Sequence, residues 1–145
     1  MDNNGFIFTM DAALALIIVF IALAAVANVN NSSSSPSSQT RLFHNAQDTL
    51  ETMAAYKTGP EGFTVLQNIA IVLAANKNDK TGINEAGQEA GVYLNQTINS
   101  TKYNFTEINQ LNATIAANAD MKEANNIAVS VKSCDGYMFR LYIWD

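Results

Sequence analysis

Hydrophobic positions in this chain follow three patterns, one unbroken, one helical and one alternating. From Phe6 to Ala27 the residues read FIFTMDAALALIIVFIALAAVA, with no polar side chain after Asp11. At 1.5 Å rise per residue such a run makes roughly 33 Å of helix, enough to cross a hydrocarbon core of about 30 Å. Leu, Ile, Val, Phe and Ala occupy every side, so no polar stripe suits it to lie on a soluble core. The run therefore predicts a membrane-spanning helix over 6–29. A fully buried core helix would need more body around it than the rest of the chain supplies. A secretory signal peptide is the other alternative: Ala24–Asn28 would suit cleavage, but residues 1–5 carry no base.

The next residues, 30–40, are Asn, Ser, Pro, Gln and Thr without a charge. Such a stretch has no face to pack and favours local turns over helix. It reads either as a hinge between two bodies or as a plain stalk beneath one.

Periodicity returns in 41–145. Phe43, Ala46, Leu50, Met53 and Ala54 predict a helix from about Thr40 to Tyr56, stopped by Gly59 and Pro60. Val65, Ile69, Ile71, Val72, Leu73 and Ala74 predict a second, and Ala86, Ala90, Tyr93 and Leu94 a third from Ile83 to Ile98. Gly87 and Gly91 weaken that one. Beyond Lys102 the period becomes two: Tyr103–Ile108, Ile127–Cys134 and Tyr137–Trp144 read as strands, and Asp135-Gly136 between the last two is a hairpin signal. The expected head is thus α+β, with about three helices and one antiparallel sheet of about three strands, ending in a C-terminal hairpin.

Alternation sends Tyr137, Phe139, Leu141 and Ile143 to the core, and Met138, Arg140, Tyr142 and Trp144 to the opposite face. Arg140, Tyr142 and Trp144 suit a subunit interface, where aromatic residues and Arg are enriched. Cover by the helices is the alternative.

Composition narrows the function. The chain has 145 residues, 48% hydrophobic and only 14% charged, with a net charge of -5. All eight Lys and Arg lie at Arg41 or beyond, and nowhere do they cluster, which excludes a nucleic-acid partner. One cysteine, Cys134, and one histidine, His44, leave no basis for an intramolecular disulfide, and no cofactor or metal is expected. No nucleophile, base and orienting acid can be assembled, so no enzyme is expected. Six Asn-x-Ser/Thr sequons begin at Asn30, Asn31, Asn95, Asn99, Asn104 and Asn112, candidate sites of N-linked glycans on an outward-facing domain.

Asp11 is the exception inside the apolar run, and a carboxylate there is costly unless compensated. It either sits at headgroup depth by the helix N-terminus, where the dipole favours an anion, or pairs with a positive group of a neighbouring chain.

The run Gly5-Phe6-Ile7-Phe8-Thr9-Met10-Asp11 followed by the apolar stretch resembles the N-terminus of archaeal type IV pilin-like proteins. The resemblance covers about the first 25–30 residues. It implies a short leader, 1–5, cleaved between Gly5 and Phe6. It further implies a segment 6–29 that anchors the subunit in the membrane and then packs against copies of itself in a helical filament. Asp11, with Phe6, Leu14, Ile17, Ile18 and Ile21, would serve that assembly. The expectation is a structural subunit of an extracellular filament, in surface adhesion, made from a membrane-embedded precursor with its N-terminus inside. The competing reading is a monomeric anchored surface protein whose head binds an extracellular partner.

Overall fold

The computed structural model describes residues 38–58, 62–98 and 101–145. In chain order the elements are α1 (Ser38–Ala55), β1 (Lys57–Thr58), β2 (Phe63–Thr64), α2 (Val65–Ala75), α3 (Lys80–Thr97), β3 (Lys102–Glu107), β4 (Ala113–Ala117), one 3₁₀ turn (Met121–Glu123), β5 (Ile127–Cys134) and β6 (Tyr137–Trp144). The strands form a four-stranded antiparallel sheet in the order β4-β3-β6-β5, and a separate two-stranded ribbon of β1 and β2.

This corrects the expected single sheet of about three strands. Ala113–Ala117 was hidden because ATIAA neither alternates nor carries β-formers beyond Ile115 and Thr114; its strand conformation comes from pairing with β3, through a bulge at Phe105/Thr106. The β1–β2 ribbon has only two residue pairs around the Gly59-Pro60 stop, too few to leave a period in the sequence. Among the described residues, no helix is long and apolar enough to cross a membrane. The segment 6–29, for which a membrane-spanning and filament-core helix was expected, lies outside the described residues, as do the leader 1–5 and the hinge up to residue 37.

Local chemistry sets the helix boundaries. Thr64 caps α2 in a reciprocal box with Gln67, each side chain accepting the other's backbone N–H. Asp79 accepts the Gly82 N–H at 2.9 Å and starts α3 at Lys80, three residues before the expected Ile83. Gly82 is therefore part of the first turn.

The buried stripe of α1 is Leu42, Ala46, Thr49, Leu50 and Met53. Phe43, expected inside, is one position round the helix and 48% exposed. In α2 the stripe is Val65, Leu66, Ile69, Ala70 and Leu73, leaving Ile71 exposed. α1 lies against β5 and β6, α3 against β4, and α2 packs on both helices. Beneath them the inner sheet face carries Tyr103, Phe105, Ile115, Tyr137, Phe139, Leu141 and Ile143, all buried. Phe105 and Phe139 stack at 5.4 Å between centroids and Tyr137 and Phe139 at 6.1 Å. The hairpin turns at Asp135 and Gly136, both with positive φ (48° and 85°), the geometry a two-residue turn needs to match strand twist. The helices thus cover one face of the sheet.

Candidate functional site

The register defines that other face. Val129 pairs with Tyr142 and Val131 with Arg140, while Ala128 and Ser130 pair with the core residues Ile143 and Leu141. The edge strand β5 is therefore inverted in polarity: its large β-branched residues point away from the core and its small and polar ones toward it. Ile127, Val129 and Val131 are 40%, 37% and 46% exposed, and Met138 on β6 is 36% exposed beside them. An antiparallel sheet with one face in water ordinarily turns its polar residues there, so this outward row of aliphatics departs from the usual pattern and is the candidate contact surface.

Arg140 lies half-buried in this surface. Its Nη1 donates to the Tyr142 hydroxyl at 3.0 Å, and its guanidinium stands 5.8 Å from the Tyr142 ring centroid. Among the described residues the one ion pair is the exposed Lys122–Asp120, so no carboxylate there neutralises Arg140. Trp144, grouped with them from sequence, is only 1% exposed and cannot offer its ring to a partner. The chain between β4 and β5 must cross from one edge of the sheet to the other at the end where Lys102 pairs with Trp144 and Ile127 begins β5.

A second surface lies on the helices. Tyr56, Val65, Glu89, Val92 and Tyr93 line a groove where the end of α1 meets α3, and Asp48 and Glu51 border it beside Tyr56. Tyr56 and Tyr93 face each other at 6.4 Å between centroids, and Val92 is 60% exposed. Among the described residues no Lys or Arg lines the groove.

Glu107 is the residue that sequence reasoning passed over. Alternation places it on the same side as Tyr103 and Phe105, and it is fully buried. Its carboxylate accepts four backbone N–H groups, from Asn109 (3.2 Å), Gln110 (2.9 Å), Leu111 (2.7 Å) and Met138 (3.1 Å). Burial by itself would raise its pKa; the four donors outweigh that and lower it. The carboxylate organises the β3–β4 loop and leaves no open position for a substrate. At the end of the hairpin, burial first and the adjacent Asp135 charge second push up the Cys134 thiol. His44 is exposed on α1, its ring in a T-shaped pair with Phe43 at 6.0 Å between centroids. Among the described residues no group of three His, Cys, Asp or Glu could hold a metal ion.

No family model, curated protein or solved structure matches the chain.

Of the sequons, those at Asn30, Asn31 and Asn99 lie outside the described residues, as do Gly5, Phe6, Asp11, Leu14, Ile17, Ile18 and Ile21. Asn95 stands on α3, where its Oδ1 accepts the Tyr103 hydroxyl at 3.1 Å. Asn104 is on the internal strand β3, its Oδ1 buried and without a partner. Asn112 alone among these three is an exposed loop residue, with φ of 47°, and Thr114 of its sequon is exposed too. The structure thus brings together Arg140, Tyr142 and the β5 aliphatics, and separates the sequons into three different settings.

Proposed function

We propose that this chain is a structural subunit of an extracellular type IV pilus-like filament in surface adhesion, with the apolar segment 6–29 held in the membrane before assembly and packed against its copies afterwards. The observation that carries the reading is the prepilin-like run Gly5–Asp11 ahead of that segment. The head supports it in kind: its exposed aliphatics at Ile127, Val129, Val131 and Met138 suit a protein partner, while its buried carboxylate is consumed by its own backbone. Glycans on such a subunit would be carried at Asn112, the exposed loop sequon.

The experiment joins two measurements on the native material. N-terminal sequencing of the mature chain gives Phe6 if a leader is removed, and electron microscopy of sheared surface material shows filaments containing this chain. A mature start near Asn28, with the head released as a free domain, overturns the reading. Chain at the surface without any filament favours a monomeric anchored protein.

A further inference from the structure

The head displays two contact surfaces of opposite character on different elements. The outward side of the sheet is apolar and cationic. Alongside Val129, Val131 and Met138 it bears Arg140 and, at its far end, Lys102, and no acid occupies any outward position of its strands. The groove between α1 and α3 is apolar and anionic, with Tyr56, Val92 and Tyr93 around Glu89 and with Asp48 and Glu51 at its border. Neither charge set is neutralised at home. Arg140 is occupied by Tyr142, and none of Asp48, Glu51 and Glu89 forms an ion pair with a described residue.

We propose that these are the two halves of one heterologous contact: the β5–β6 face of one head docks in the α1–α3 groove of a second copy of this chain. The occupant is argued from charge. A chain of net charge -5 repels its copies in general, so attraction between heads requires a cationic patch aimed at an anionic one, as Arg140 and Glu89 provide. Val131 and Arg140 on the face and Glu89, Val92 and Tyr93 in the groove belong to different elements, and only Glu51, which also lines a pocket with Val129 and Val131, borders both. A pair formed through them leaves one free face and one free groove, so the contact passes from copy to copy. A two-fold pairing of β5 edges would stop at the dimer and leave the groove unused. The proposal takes from the filament reading its supply of adjacent copies, and it adds a contact between heads to the one made by segment 6–29.

The test is cross-linking of the full chain on intact cells. In a Cys134→Ser background, Val131→Cys and Val92→Cys are introduced singly and together, and a short bis-maleimide is applied. Only the double variant should yield a ladder of dimers, trimers and longer species. Arg140→Glu added to that pair should cut the cross-linked fraction about tenfold, and Glu89→Arg on top should restore it. A double variant that stays monomeric at wild-type surface level overturns the contact, as do dimers from Val131→Cys alone. Filaments without a ladder remove the head contact and leave the filament reading standing. A ladder from cells whose sheared material holds no filament removes the filament reading and keeps the contact.

Discussion

The Glu107 carboxylate accepts the Met138 backbone N–H at 3.1 Å, a bond across 31 residues of sequence that ties the β3–β4 loop to the start of β6. Asn109 reinforces it, accepting the same N–H at 2.7 Å and donating to the Gly136 carbonyl at 2.9 Å. Two turns at one end of the sheet are thereby fastened through a single buried anion. Replacing Glu107 by Leu strands these donors in the core and should destabilise the head by about 3 kcal/mol or more. Glu107→Gln keeps the shape but turns an NH₂ toward N–H groups, and should cost about 2 kcal/mol. Urea unfolding followed by the fluorescence of Trp144, the single tryptophan, measures both.

The same carboxylate sets a pH dependence. Its pKa is lowered on folding, so its contribution is fully present above the unfolded value of about 4.3 and is lost as pH falls through the folded value. The wild-type urea midpoint should fall below about pH 4.5 more steeply than that of Glu107→Gln, because the variant has no proton to bind there. Parallel curves for the two proteins from pH 7 to pH 3 would remove Glu107 from the acid transition.

Two glycines on α3 that look equivalent in sequence should respond oppositely to Ala. A Cβ on Gly87 would clash with the Ile115 carbonyl oxygen, so Gly87 is what allows β4 to lie against the helix. Gly87→Ala should lose about 1 to 3 kcal/mol despite its better helix propensity. At Gly91 the nearest atom is the Tyr103 hydroxyl at 4.0 Å, an ordinary contact. Gly91→Ala should gain about 0.5 to 1 kcal/mol. Thermal unfolding of both variants is the check, and a shift of the same sign in each would contradict the packing.

Asp135 raises the Cys134 thiol after burial has already done so. Asp135→Asn removes the charge and keeps a residue suited to the positive φ of 48° at that position. Alkylation by iodoacetamide at pH 8 should therefore quicken about two- to threefold, since the thiolate is the reacting form. A rate equal to or below wild type, read by mass spectrometry, would assign the slow reaction to burial alone.

How much of this was legible beforehand depended on period and on competition from tertiary contacts. Tyr137, Phe139, Leu141 and Ile143 alternate cleanly, and their inward face could be read directly. Phe43 was misplaced because an aromatic at helical spacing weighs more in a pattern than the neighbouring Leu42, which the packing against β5 and β6 selects. Ala113–Ala117 is a strand by virtue of its neighbours, so its own composition gives no hint of it. Glu107 carried a signal in its register with Phe105, but the four donors that make its burial tolerable come from a loop and a strand far along the chain. The outward aliphatics of β5 were visible as alternation, yet which half faced out could only be decided by pairing with β6.

The order of the sheet has a consequence for how the head comes into being. β6 lies between β3 and β5 and is made after both. During synthesis β3 can pair only with β4, and β5, with its row of aliphatics, has no strand beside it until β6 emerges. Non-local closure of this kind is slow and leaves edges exposed to other nascent chains. The Asp135-Gly136 turn offsets part of that exposure: it lets β6 fold back on β5 as soon as it appears, so the hairpin can form first and then capture β3 as a unit.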